Sequence, residues 1–231
     1  FVYVGEWIRE IITTLGKEHI LTVPMWEFGL GYGEDTIITL AYYVIGDPLS
    51  IVSAFTPVQY AEVAYCMLII ARFYLSGISF YLYSREMKVS KFGTLCGAIA
   101  YAFCTFAMYA TIRHMFFGNA LIYLPLLLLG VEKIFRKESP ILYISMIFVS
   151  AISNYYFFYM LTLIIIIYVV CRYSTSDERN FMGFVKICFT YAGYAIIGAL
   201  MAMVIFLPII VAFLGTSRIS SSYVYDSLCS L

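Results

Sequence analysis

Charged side chains are scarce in this sequence. Only 12% of the 231 residues are charged and 63% are apolar, whereas charged residues make up about a quarter of a typical soluble domain. The 14 basic and 14 acidic residues cancel to a formal net charge of zero, so nothing indicates a nucleic acid or another polyanion as a partner. This balance argues against a soluble domain and predicts a protein that lies in a lipid bilayer.

The common catalytic and metal-binding motifs are also missing. The chain has no GxSxG, Walker, HExxH or CxxC pattern, so a soluble hydrolase, a nucleoside triphosphatase and a zinc enzyme have no support. The six cysteines show no Cys/His ligand spacing. Most of them fall in apolar segments, where a free cysteine acts as a small hydrophobe. The spacing therefore predicts neither a metal site nor a disulfide framework.

Long apolar segments fill the chain after residue 60. They are residues 61–83, 92–111, 120–135, 141–171 and 183–214. The fourth is too long for one crossing, and Asn154 near its middle predicts two short helices that meet there. Pro125 should break the third segment, and Pro208 should kink the fifth. Residues 61–231 are therefore predicted to form an all-α, polytopic transmembrane helical bundle of about six spans, incomplete at both ends.

Residues 1–60 are predicted to form an outer loop of interfacial and re-entrant helices. Residues 1–15 place apolar side chains on one helical face and polar ones opposite, as in a helix lying in the membrane interface. A soluble amphipathic helix is the alternative. An acidic pair, Glu34-Asp35, then follows alternating glycines, which predict an irregular turn with positive φ.

Capping signals divide the rest of this loop into short helices. Either Glu34 or Asp35 can cap a helix that begins at Thr36. Asp-Pro at positions 47–48 and Thr-Pro at 56–57 each supply an N-cap followed by a proline at the first helical position. Helices this short cannot cross a bilayer, and they are tolerated at membrane depth only where protein covers their ends.

Basic residues are distributed unevenly between the two sets of alternating loops. The poorer set has Arg113 and Arg218, and the N-terminal segment adds Arg9 and Lys17. The positive-inside rule then places the first loop, Arg113 and Arg218 on the outer side. The richer set has nine basic residues, namely Arg85, Lys88, Lys91, Lys133, Arg136, Lys137, Arg172, Arg179 and Lys186.

The polar residues of the outer side form a candidate site. Carboxylates such as Glu34 and Asp35 can activate a hydroxyl or hold a divalent metal, whereas arginine pairs with phosphate oxygens. A structural interpretation is also open, with the aspartates as helix caps and the basic residues as interfacial anchors. The other polar residues on this side are Asp47, Arg113, His114, Asn119, Asn154 and Arg218.

Arg72 is unusual because it lies near the middle of the first span. A cation at that depth costs about 2.5–3.5 kcal/mol even on a lenient insertion scale. Arg72 should therefore face the bundle and pair with Glu62 or Glu86, or contact a bound ligand. The sequence favours a structural ion pair over a ligand contact.

Several runs closely resemble the bacterial membrane protein YfhO family. They are PMWEFGLGYGEDTI, RFYLSGISFYLY, RHMFFGNALIYLPLLLLGVEKI and AISNYYFFY. By position, Glu34 and Asp35 match the acidic residues in the first outer loop of the family. His114 matches the histidine of the family's turn with the pattern Arg-His-x-Phe-Phe. The family's earliest acidic motif would lie before Phe1. The chain is therefore expected to be a fragment that lacks the acid best suited to act as catalytic base.

The resemblance implies a GT-C-type membrane glycosyltransferase. Such an enzyme would move a sugar from a polyprenyl-phosphate-linked donor to a cell-envelope acceptor, such as teichoic acid, on the outer face of the bacterial plasma membrane. Asp35, with Glu34, would orient the acceptor or a divalent metal. The expected phosphate and substrate contacts are Arg113, His114, Arg218, Asn154 and Arg72.

Two other functions remain open from the sequence. A lipid-linked-sugar transporter or flippase would explain an arginine within a span and the broken helices. A non-catalytic membrane scaffold is the third interpretation, favoured only if both the acid expected before Phe1 and the Asp35 region prove dispensable.

Overall fold

The computed structural model describes residues 1–18, 23–24, 26–28, 33–41, 45–175 and 180–215. Helices dominate these ranges, which confirms the predicted all-α class. The exception is a ribbon of two short strands, β1 (Trp26–Glu27) and β2 (Glu34–Asp35), paired antiparallel. Trp26 lies opposite Asp35 in this ribbon, and Gly33 supplies the expected positive φ, at 97°.

Short helices make up most of the first 60 residues. They are α1 (Val2–Glu18), α2 (Thr36–Ala41), a 3₁₀ turn (Pro48–Ile51), α3 (Val52–Phe55) and a second 3₁₀ turn (Val58–Tyr60). The prediction for positions 47–48 is confirmed, because Asp47 caps the first 3₁₀ turn and proline follows it. The prediction for Thr56 is wrong. Its hydroxyl donates back to the Val52 carbonyl, 2.8 Å away, and the residue ends α3 instead of capping the next turn.

The helices of the bundle follow in sequence. They are α4 (Ala61–Glu86), α5 (Lys91–Ala102), a π-helical turn (Ala107–Thr111), a 3₁₀ turn (Met115–Gly118), α6 (Asn119–Phe135), α7 (Ile141–Ser153), α8 (Tyr155–Ser174), α9 (Phe181–Met201) and α10 (Met203–Gly215). Four segments of the described chain are long and apolar enough to cross a bilayer: Val58–Glu86, Met115–Phe135, Tyr155–Ser174 and Phe181–Met201. The chain is therefore a multi-pass membrane protein, with four such helices where about six spans were predicted.

The proline prediction for α6 differs from the structure, whereas the kink predicted at Pro208 stays a prediction. Helix α6 continues through Pro125, which was expected to break it. A proline leaves the carbonyl four residues earlier without its helical partner, and here the Tyr101 hydroxyl of α5 donates to that carbonyl, on Leu121, at 2.9 Å. In the last segment the helix is interrupted at Ala202, between α9 and α10, and Pro208 lies inside α10.

Helix α6 is at the centre of the bundle. It contacts α4, α7 and α8, and it is the most buried of the four candidate spans. Leu127 and Val131 of α6 are completely buried and pack with Ile147 of α7, Ile165 of α8 and Tyr191 of α9. A smaller apolar cluster joins α1 to α4 and to the turn that precedes α6. The larger cluster packs along α6, and the smaller one packs against the turn before it. Together they hold α6 in place.

Gly130 allows α6 and α7 to approach closely. A Cβ at this position would lie 2.9 Å from the Tyr143 Cα and 3.0 Å from the Tyr143 Cβ. We therefore expect Gly130→Ala to lower the free energy of unfolding by about 1–3 kcal/mol, because backbone atoms of α7 would have to move. Thermal unfolding of the purified protein in detergent measures this change.

Gly193→Ala in α9 is the matched control. A Cβ at Gly193 has no neighbour within 4 Å in the described part of the chain, and alanine is the better helix former by about 1 kcal/mol. The control should unfold at the wild-type temperature or slightly above it. Equal unfolding temperatures for the two variants would contradict the close packing of α6 on α7.

Candidate functional site

A cluster of polar side chains is buried at the centre of the protein. This central polar cluster brings together the turn before α3, the middle of α4, the start of α6 and the end of α7. Each of its side chains is less than a tenth exposed. Its members are Asp47, Ser50, Arg72, Asn119, Tyr123 and Ser153.

Asp47 uses both of its carboxylate oxygens in this cluster. Oδ1 accepts from the Leu49 backbone N–H at 3.1 Å and from the Asn119 Nδ2 at 2.9 Å. Oδ2 accepts from the Ser50 hydroxyl and forms an ion pair with the Arg72 guanidinium. Asp47 therefore caps the 3₁₀ turn and also neutralises the buried cation, a pairing that was not predicted from the sequence.

Arg72 forms the ion pair that the sequence favoured, but with a different partner. Its Nε donates to the Asn119 Oδ1 at 2.8 Å and its Nη1 to the Leu68 carbonyl at 3.2 Å, in addition to the pair with Asp47. The predicted partners, both on α4 with Arg72, were wrong. The Glu62 side chain is exposed, and Glu86 pairs with Arg136. The true partner comes from a turn that folds into the bundle, which spacing along α4 cannot reveal.

Asn119 and Ser153 complete the cluster, and neither of their contacts was predicted from the sequence. The Asn119 Nδ2 also donates to the Ser153 hydroxyl at 3.2 Å, and the Tyr123 hydroxyl donates to the same oxygen at 3.2 Å. Asn154, the next residue, is buried and accepts from the N–H groups of the first turn of α8 at 3.0 and 3.1 Å. The predicted helix junction at Asn154 is confirmed, and the side chain acts as the N-cap of α8.

Arg113 and His114 lie at the mouth of a groove between α6 and α8. Both side chains are exposed. The Arg113 Nη1 donates to the Tyr109 hydroxyl at 3.0 Å, and the guanidinium lies 5.9 Å from the centre of that ring. The His114 ring lies 5.1 Å from the Phe117 ring. These contacts orient a cation and an imidazole toward the same space.

The rest of this groove is apolar. It encloses about 710 Å³ and runs along α6 and the first half of α8. Phe117 and Phe157 pack edge to face in its wall, with ring centres 5.0 Å apart. The groove thus joins polar groups at one end to a long hydrocarbon-like surface. The remaining lining residues are Phe106, Tyr109, Ala110, Ala120, Leu121, Leu124, Tyr156, Met160, Leu161 and Ile164.

The central polar cluster is connected to both helices that line this groove. Asn119 begins α6 directly after the 3₁₀ turn that follows His114, and Ser153 lies one residue before the N-cap of α8. The cluster therefore holds the two helices whose side chains line the groove.

Among the described residues, the other predicted site residues do not belong to the lining of this groove. Glu34 and Asp35 form strand β2, directly before α2. Arg218 lies outside the described residues. Within the described ranges, no three His, Cys, Asp or Glu side chains come together as a metal-binding group. Arg113 and His114 are thus the predicted site residues that share one cavity.

A second buried carboxylate lies near the other end of α6. Glu132 is 1% exposed, and its Oε1 accepts from the Tyr168 hydroxyl at 2.8 Å and from the Arg172 Nε at 2.9 Å. The Tyr168 hydroxyl also forms a hydrogen bond with the Tyr83 hydroxyl at 3.0 Å, which links α8 to α4. The sequence gave no signal for this cluster, because Glu132 follows an uninterrupted apolar run.

Loss of the buried arginine should destabilise the protein strongly. Arg72→Met would leave the Asp47 carboxylate buried without a counter-charge, which costs about 3–5 kcal/mol. Arg113→Met removes an exposed arginine and should change the free energy of unfolding by only about 0.5 kcal/mol. Thermal unfolding of both purified variants measures the difference. Equal stabilities would show that the Asp47–Arg72 pair does not stabilise the fold.

Comparison with known proteins now places the chain in a family. The family model described as "Bacterial membrane protein YfhO" matches residues 18–226. Neither the curated proteins nor the solved structures provide a match. The matched region contains all bundle helices, the ribbon and the groove. Because it covers most of the sequence, the chain belongs to the bacterial membrane protein YfhO family.

Proposed function

We propose that the protein is part of a membrane glycosyltransferase that uses a polyprenyl-phosphate-linked sugar as donor. Membership of the YfhO family suggests a glycosyltransferase-like role in the membrane. The observation that carries the proposal is the groove between α6 and α8, with Arg113 and His114 at one end and apolar side chains along the remainder. A lipid phosphate has the same division into an anionic head and a hydrocarbon chain.

The polar end of the groove suits the phosphate of such a donor. Arginine donates to phosphate oxygens through charge-assisted hydrogen bonds. The guanidinium of Arg113 is held by Tyr109, and it forms no ion pair with a carboxylate of the described residues. In glycosyl transfer the bond between the sugar carbon and the phosphate oxygen breaks, and the phosphate leaves with an additional negative charge. Arg113 and His114, with Arg218, would stabilise that charge.

The apolar part of the groove suits the polyprenyl chain. Ligand sites of this kind are mostly apolar and contain a few polar groups that fix the orientation of the ligand. The aromatic and aliphatic residues of α6 and α8 provide such a wall. In a bilayer this wall is reached from the lipid side, so the donor would enter without leaving the membrane.

The acceptor would approach from the side of the β-ribbon. Asp35, with Glu34, would orient the acceptor hydroxyl or a divalent metal, and a carboxylate would take the hydroxyl proton as the new glycosidic bond forms. We assign a cell-envelope polymer such as teichoic acid as the acceptor, on the outer face of the plasma membrane. The distribution of charge supports this orientation, since Arg113 precedes α6 whereas Lys133, Arg136 and Lys137 lie at or after its end.

The transporter interpretation loses its main support. It drew on Arg72 as a charge within a span, and the structure ties that guanidinium to Asp47 and Asn119. A buried, paired arginine stabilises a bundle and does not by itself indicate a translocation path. Transfer of sugar by purified full-length protein from a defined polyprenyl-phosphate donor would support an enzyme, and flipping without transfer would support a transporter.

Removal of the cation at the groove should weaken the reaction. Arg113→Ala is expected to lower kcat/KM for the lipid-phosphate donor roughly 10- to 100-fold, because a hydrogen bond to a charged group contributes about 1.5–3 kcal/mol. The measurement is sugar transfer in proteoliposomes. Arg85→Ala, an exposed arginine at the opposite end of the bundle, is the control and should keep wild-type activity. Equal activities in the two variants would remove Arg113 from the site.

Removal of the ribbon carboxylate should abolish the reaction. We expect Asp35→Asn in the full-length protein to end glycosylation of the envelope polymer while membrane insertion stays normal. Glu27→Gln changes the other strand of the ribbon, opposite Glu34, and should leave glycosylation in place. Polymer glycosylation that persists in Asp35→Asn cells would refute the assignment of this acid.

A further inference from the structure

A second cavity lies at the opposite end of α6 from the groove. It encloses about 520 Å³, and residues from the end of α6, the end of α8 and the start of α9 line it. Lys137 and Lys186 both line this cavity, and no acidic side chain of the described residues does. As far as the described residues form it, this lysine cavity is therefore lined by two cationic side chains at one end of the bundle.

The arginines beside the lysine cavity already have acidic partners. Arg136 pairs with Glu86, and Arg172 pairs with Glu132 while stacking on Phe135, a lining residue. In the described part of the chain neither Lys137 nor Lys186 forms an ion pair. Within the described ranges the two lysines thus have no acidic partner, whereas the neighbouring arginines are paired.

The wall of the lysine cavity is held by specific contacts. The Tyr173 hydroxyl donates to the Asn180 carbonyl at 2.7 Å and accepts from the Asn180 N–H at 3.1 Å, which joins the end of α8 to the start of α9. Gly183 faces the same hydroxyl, and a Cβ at that position would lie 2.7 Å from it. The space beside Tyr173 therefore depends on a residue without a side chain.

Apolar side chains of α6 and α9 form another part of the lining of the lysine cavity. Phe135, Ile187 and Tyr191 form part of its lining, and Phe181 and Met182 next to it are 80% and 70% exposed. Such residues at the end of a spanning helix are covered by lipid chains in a bilayer. A ligand with phosphate at the lysines and hydrocarbon along α9 would match both parts.

We propose that the lysine cavity binds the phosphate group of an anionic membrane phospholipid, with its acyl chains along the exposed face of α9. Basic cavities between transmembrane helices at the cytoplasmic side are suited to phospholipid headgroups. Binding here is separate from sugar transfer, because the lysine cavity and the groove lie at opposite ends of α6. The bound lipid would fix α9 against α6 and α8.

Native mass spectrometry with a defined lipid mixture tests this site. The purified full chain in detergent is exposed to equimolar phosphatidylglycerol and phosphatidylcholine, and the bound lipid is counted. Wild-type protein should retain phosphatidylglycerol selectively. The Lys137→Gln/Lys186→Gln variant should bind it on the order of 25-fold more weakly, because each of the two lysines near an anionic headgroup contributes about a fivefold change in affinity.

A matched double variant controls for charge at the same end of the bundle. Lys88→Gln/Lys91→Gln removes two exposed lysines that do not line the cavity, and Lys88 shares with Lys137 a φ of 61°. This control should keep wild-type lipid binding. Equal loss in both double variants, or equal binding of the two lipids by wild type, would overturn the proposal. Displacement of phosphatidylglycerol by millimolar inorganic phosphate would also overturn it, in favour of a site for free phosphate.

Discussion

The ion pair between Asp47 and Arg72 is the interaction on which the rest of the structure depends. Burying an arginine and an aspartate in a bundle is unfavourable unless each is paired and hydrogen-bonded. Asn119 satisfies both partners at once, since its amide donates to Asp47 and its carbonyl oxygen accepts from Arg72. One side chain thus connects two charges with the start of α6, and Ser153 extends the connection to α7.

This arrangement ties the first 60 residues to the bundle. Asp47 and Ser50 belong to the predicted outer loop, yet they lie in the buried cluster with side chains from α4, α6 and α7. A division at residue 60 into an outer loop and a bundle stays a prediction. Asp47 therefore anchors the end of any such loop to α4 and α6.

Much of the fold was predictable from the sequence, because hydrocarbon length and capping are local properties. Runs of apolar residues gave α4, α6, α8 and α9, and the Asn154 junction and the Asp47 cap followed from single residues. The errors came from tertiary contacts. Pro125 leaves α6 unbroken because Tyr101 of another helix satisfies the freed carbonyl. Arg72 pairs with an aspartate outside its own helix, which no helical spacing encodes.

The candidate site was predictable in part for the same reason. The basic turn before α6 could be found from the sequence, since Arg113 and His114 interrupt an apolar region. The apolar wall of the groove could not, because α6 and α8 meet only in the folded bundle. The lysine cavity could not be predicted from the sequence either. Lys137 lies just after α6 and Lys186 lies in α9, so the two lysines line one cavity only in the folded bundle.

The bond from Tyr101 to the Leu121 carbonyl has a consequence for biogenesis. A helix that enters the bilayer alone with a proline in its interior exposes one carbonyl to hydrocarbon, where an unsatisfied polar group costs several kcal/mol. When α5 lies beside α6, the Tyr101 hydroxyl satisfies this carbonyl and the cost is removed. The two helices are therefore more favourably inserted as a hairpin than one after the other, and the hydroxyl of one tyrosine couples their entry into the membrane.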